Sequence, residues 1–106
     1  MALVLTSQNF QTEVLDSKLP VVIDVFATWC GPCQQMAPVF DELAKELAET
    51  HKLAKLNIDD ERDLAIKYNV SSIPTFLFIK NGEVVGKETG FMTKEMLKTK
   101  IDELFG

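Results

Sequence analysis

The chain has 106 residues, enough for one domain with a real core. With 46% hydrophobic and 25% charged residues, its balance is that of an ordinary globular protein in water. A net charge of -5 and lysines scattered among acids argue against a nucleic-acid partner, which would need a basic cluster.

Met1-Ala2-Leu3-Val4-Leu5 is too short for a signal-peptide core and lacks a basic lead-in, and no run approaches the ~20 apolar residues of a membrane span. The expectation is a single-domain cytoplasmic chain over residues 1-106, monomeric and without a membrane role. Leu3-Val4-Leu5 reads as a short first strand. Thr6 or Ser7 then caps a helix with Phe10 and Val14 on one face. After Pro20, residues 21–27 form a β-branched apolar run that suits a strand buried on both faces.

Met36, Phe40, Leu43 and Leu47 recur at helical spacing, so an amphipathic helix follows, with Pro38 expected to kink it. A third strand spans residues 53–58, and Asp59 or Asp60 is expected to cap a short helix ending near Tyr68. Thr75 to Ile79 and Glu83 to Lys87 flank Asn81-Gly82, a strong hairpin signal. Thr93 caps a last helix with Leu97, Ile101 and Leu104 inward. The order β-α-β-α-β-α-β-β-α predicts an α/β domain, a mixed sheet of about five strands flanked by about four helices. Reactive groups belong at the C-terminal end of a strand in such a sheet.

Cys30-Gly31-Pro32-Cys33 stands at that position, between the buried strand and the long helix, and holds the only two cysteines. A helix N-terminus carries unsatisfied N–H groups and partial positive charge, so a thiol there ionises readily. A second thiol two residues on can resolve what the first attacks. The pattern points to dithiol–disulfide exchange. A structural disulfide is the plainer alternative, but a four-residue loop stabilises by roughly 2 kcal/mol against about 4.7 for a hundred-residue loop. A zinc site needs about four ligands, and His51, some 18 positions beyond Cys33 at the far end of the expected helix, cannot join the two thiols. No metal is expected. Pro32 is at home in a first helical turn, and Gly31 permits close approach of a substrate backbone.

Asp24 interrupts the buried strand six residues before Cys30. An unpaired buried carboxylate resists ionisation, and one beside a dithiol is suited to accept a proton from Cys33. The alternative is a carboxylate that is simply ion-paired or wetted at the strand end. Lys55, on the neighbouring strand, is its plausible charge partner. Trp29 reads as contact surface beside the thiol, Ile73-Pro74-Thr75 as a strand start, and Gly90 as a turn. General preference leaves the Ile73–Pro74 bond trans.

Trp29-Cys30-Gly31-Pro32-Cys33, with Asp24, Lys55, Ile73-Pro74-Thr75, Asn81-Gly82 and Gly90 in order over almost the whole chain, resembles the thioredoxin family. The resemblance implies the thioredoxin fold and protein disulfide reductase activity. It also implies an exposed attacking Cys30, a buried resolving Cys33, assistance by Asp24 with Lys55 nearby, and a cis Pro74 opposite the cysteines. Trp29, Ile73, Pro74, Gly90 and Phe91 would line an apolar groove for an extended substrate segment. The implied partners are disulfide-containing proteins and a thioredoxin reductase, a flavoprotein drawing on NADPH. No cofactor would be bound by this chain, which has no nucleotide-binding glycine motif.

Phe26 stands where many relatives carry tryptophan, and Gln34 where a lysine or arginine is common. The second departure would leave Cys30 slightly less acidic. Two other functions fit the same residues: exchange in the oxidase or isomerase direction, and a non-redox binding module on the same fold.

Overall fold

The computed structural model describes residues 2–106; Met1, the first residue of the apolar N-terminal stretch, lies outside the described residues. Five strands form one sheet: β1 (Leu3–Val4), β2 (Val21–Phe26), β3 (Lys52–Asn57), β4 (Thr75–Lys80) and β5 (Glu83–Thr89). Their order is β1-β3-β2-β4-β5. β1, β3 and β2 run parallel, whereas β4 is antiparallel to β2 and β5 to β4. This is the mixed sheet that the sequence pattern implies.

β2 is the central strand, and its alternate residues point to opposite faces. On one face Val22 packs with Met36, Phe40 and Leu43 of α1 (Gly31–Glu46) and with Leu97, Ile101 and Phe105 of α3 (Lys94–Phe105). On the other, Val21, Ile23 and Val25 pack with Phe10 and Val14 of the first helix and with Leu64 of α2 (Arg62–Lys67). Residues 21–25 are all fully buried, as a strand covered on both sides requires.

The first helix departs from a regular α-helix. Gln11–Leu15 is π-wound, closed by Asp16 N–H donating to the Gln11 carbonyl at 2.9 Å. The wider winding keeps Phe10, Val14 and partly buried Leu15 on the inward side together. Its N-cap is Phe10, without a side-chain cap hydrogen bond, and not Thr6 or Ser7; Thr6 instead closes the preceding turn with Asn9, Asn9 N–H donating to Thr6 Oγ1 at 3.2 Å and Thr6 N–H to Asn9 Oδ1 at 2.8 Å. Thr93 caps α3 as expected, its Oγ1 accepting from Met96 N–H at 3.1 Å. α1 continues through Pro38.

Neither Asp59 nor Asp60 caps α2. The N-cap residue is Glu61, without a side-chain cap hydrogen bond. Asn57 Oδ1 instead accepts from Asp59 N–H at 2.9 Å, which turns the chain as it leaves β3, and the Asp59 carboxylate serves a different partner, described below. Asn81 and Gly82 have φ of 53° and 79°, the two positive values that a tight two-residue hairpin needs. In α3 the deeply buried terminal side chain is Phe105, with Leu104 only partly buried against the same core.

Candidate functional site

β2 delivers the chain to Ala27-Thr28-Trp29, and Cys30 caps α1 in an extended conformation (φ -86°, ψ 117°). Its sulfur accepts from Cys33 N–H at 3.2 Å, so one donor of the first helical turn is aimed at Cys30 Sγ. Pro32, which has no N–H to waste, occupies that turn. The two sulfurs are joined as a disulfide, with Cα atoms 5.2 Å apart.

Ala27, Phe26, Ile58 and Ile73 pack around the sulfurs. Cys30 is consequently only 6% exposed and Cys33 3%, so the oxidised pair lacks the contrast of an exposed and a buried cysteine that the resemblance implies. They differ in their place on the helix: Cys30 precedes α1 and its sulfur accepts a first-turn N–H, whereas Cys33 lies within the helix.

Asp24 lies behind the dithiol, fully buried, and neither carboxylate oxygen has a hydrogen-bond partner among the described residues. Burial pushes its pKa from 3.8 up to about 7; Lys55 opposes the rise and Asp41 of α1 adds to it. Lys55 is the directly paired residue on β3, so its effect follows from strand register. Its ammonium rests over the Phe26 ring, 5.0 Å from the centroid. Asp24, Lys55, Phe26, Ala27, Thr28, Cys33, Gln34 and Ala37 together line a cleft of about 210 Å³. The carboxyl and the Cys33 side thus share one small compartment.

On the outer side of the dithiol, Trp29 is 68% exposed, its ring held by Nε1–H donating to Asp59 Oδ2 at 2.9 Å. Ile73 packs against the cysteine cluster, and the Ile73–Pro74 bond is cis, as the resemblance implies and general preference does not. Gly90 N–H donates to the Pro74 carbonyl at 2.8 Å, tying the start of β4 to the end of β5. Gly90 has φ 104°, a backbone state that disfavours any side chain. Phe91, next to it, is 43% exposed. Gly31 is exposed at the first turn, and a Cβ there would meet open space.

Sequence reasoning missed three participants: Asp59, which orients Trp29; Thr28, whose carbonyl accepts from Gln34 Nε2 at 2.8 Å; and Asp41, which reaches Asp24 electrostatically. No periodicity or motif marks them, because each acts through a contact made by folding. Among the described residues, no cluster of three or more His, Cys, Asp or Glu side chains could hold a metal ion, and no helix is long and apolar enough to cross a membrane.

A family model described as Thioredoxin matches residues 1–103. The chain belongs to the thioredoxin family. It is 46% identical over 101 residues to the thioredoxin of Chlorobaculum thiosulfatiphilum, covering 95% of this chain and 94% of that one. With the thioredoxin of Haemophilus influenzae it shares 43% over 95 residues, 90% and 89% of the two chains. With thioredoxin 1 of Synechococcus elongatus it shares 38% over 103 residues, 97% and 96%. The five-stranded mixed sheet with helices on both faces is the thioredoxin fold. With the Cys30–Cys33 pair at the head of α1, the protein is a thiol–disulfide oxidoreductase.

Proposed function

We propose that the protein works in the reducing direction, as a general electron donor to disulfide-containing proteins. Cys30 thiolate attacks a substrate disulfide, forms a mixed disulfide and expels one substrate thiolate. Cys33 then attacks Cys30 Sγ, closes the intramolecular disulfide and expels the second. Two electrons pass to the substrate, and each released thiolate takes a proton.

Asp24 accepts the Cys33 proton through the shared cleft, and Lys55 moderates the carboxylate charge. The observation that carries this assignment is the cleft itself, in which an unpartnered buried carboxyl and Cys33 line the same walls. A carboxyl with a pKa near 7 is half-ionised where exchange runs, so it can take and return a proton at little cost.

Trp29, Ile73, Pro74, Gly90 and Phe91 receive an extended substrate segment, with backbone contacts supplying affinity and little side-chain selection. The oxidised protein is returned to the dithiol by a separate thioredoxin reductase, a flavoprotein fed by NADPH. The setting is a cytoplasmic monomer that maintains protein thiols, and residues 1-106 act as one domain.

Trapping tests the roles. Exposed to a disulfide substrate, Cys33→Ser accumulates a covalent mixed disulfide visible by mass spectrometry, and Cys30→Ser does not; equal trapping by both would sink the assignment. Asp24→Asn slows release of reduced substrate more than the initial attack, read by rapid-mixing kinetics near neutral pH. The direction is tested in graded dithiol/disulfide buffers with Trp29 fluorescence as the probe. A midpoint at or above the glutathione poise would make the protein an oxidase or isomerase instead.

A further inference from the structure

Two kinds of residue line the Asp24 cleft. Asp24, Cys33 and Ala27 are buried and form its floor, whereas Thr28 and Gln34 are exposed and Phe26, Lys55 and Ala37 half-buried, so these form its rim. Across that rim, the Gln34 side-chain amide donates to the Thr28 carbonyl at 2.8 Å. The bond joins the first turns of α1 to the segment leaving β2, the two elements between which the cleft opens. A flexible glutamine on an exposed helix face would otherwise be free in solvent. Here it is spent on a backbone carbonyl that has no helix or strand partner to satisfy it.

We infer that Gln34 is a positioning residue for the Asp24 proton: its hydrogen bond to Thr28 straps the mouth of the cleft and limits the water that reaches the carboxyl. The inference rests on the proton role proposed for Asp24, but it concerns the equilibrium at the carboxyl and can be tested apart from turnover. The groups that face Asp24 are Lys55 from β3, and Cys33 and Asp41 from α1; its β4 neighbour is the apolar Phe76. None of these supplies a hydrogen bond. Water admitted at the rim is therefore the main alternative source of solvation for the ionised carboxylate, and a neutral strap there keeps the acid form favoured without adding charge.

The strap is peculiar to glutamine in a definable way. Alanine removes both the wall and the bond. Methionine keeps the length and the wall without charge, but it cannot donate to a carbonyl. Packing alone would leave methionine at the wild-type midpoint and shift only alanine, whereas a strap makes the two substitutions alike. The test is the carboxyl titration of Asp24, followed by NMR in the oxidised, aspartate-labelled protein.

Gln34→Ala and Gln34→Met each lower the Asp24 midpoint by about half a pH unit. A wild-type midpoint in Gln34→Met, or in both variants, would overturn the inference, as would a rise in either. Resolution kinetics of Asp24→Asn separate this inference from the reading it rests on. Lowered midpoints in both position-34 variants with unaltered resolution in Asp24→Asn would uphold the strap and remove the proton role. Slowed resolution with unmoved midpoints would do the reverse.

Discussion

Val22 and Asp24 lie two residues apart on β2 and point to the same face of the sheet. Val22 is flanked by Leu53 on β3 and Phe78 on β4, and the helices close over it with Phe40 and Met36. Asp24 is flanked by Lys55 and Phe76, and what covers it is a cleft of about 210 Å³. Both side chains are fully buried. One position therefore contributes packing, while the other places a carboxyl with a raised pKa in a cleft that Cys33 also lines. A packed apolar residue and a titratable carboxyl are thus successive positions on one face of one strand.

The comparison breaks most severely on its filled side. Phe40 is fully buried with its ring centroid 6.2 Å from that of Phe76. Phe40→Ala is expected to cost about 3–5 kcal/mol in denaturant unfolding, the usual penalty for emptying an aromatic core site. Because Phe40 does not line the cleft, the Asp24 titration midpoint should stay where it is.

On the hollow side the sign reverses. The folded-state pKa of Asp24, about 7, lies above its ordinary 3.8, so between these values the folded protein holds a proton that the unfolded chain has lost. Wild-type stability then falls as pH rises from about 4 to 7, by up to about 4 kcal/mol at 1.36 kcal/mol per pH unit, and levels off above. Asp24→Asn removes this loss. Relative to wild type, the oxidised variant should gain stability steadily from pH 4 to 7 and keep the gain at pH 8. A stability difference independent of pH would mean that Asp24 titrates normally.

The smallest effect lies away from both positions. A Cβ at Gly86 on β5 would overlap the Leu104 Cδ1 of α3, a contact that the far end of a leucine relieves by rotating. Gly86→Ala should cost about 1 kcal/mol by thermal unfolding and leave the exchange rate unchanged. A loss of activity there would mean that the end of α3 is coupled to the dithiol.

Much of this arrangement was legible before folding was considered. The apolar run of β2 announced a strand covered on both faces, and Asp24 was conspicuous because it alone interrupted that run. The strand-to-helix position of Cys30 and Cys33 followed from the same pattern. The hairpin at Asn81-Gly82 and the Thr93 cap were local signals, and local signals survive because they depend on a few neighbouring backbone angles. The Asp59 or Asp60 cap failed for the opposite reason: Asp59 was claimed by Trp29, 30 residues distant.

By itself the sequence determined the alternation of strands and helices, the reactive pair and the odd carboxylate, since periodicity and residue chemistry are properties of short stretches. Only the tertiary structure decided that Asp24 is left without a hydrogen-bond partner among the described residues, that Cys30 is nearly as buried as Cys33, and that Gln34 bridges to Thr28. Those facts depend on which side chains from β3, β4 and α1 arrive at the end of β2 and on the space they leave. Burial and hydrogen bonding are sums over neighbours brought together by the sheet, and no stretch of chain encodes its neighbours alone.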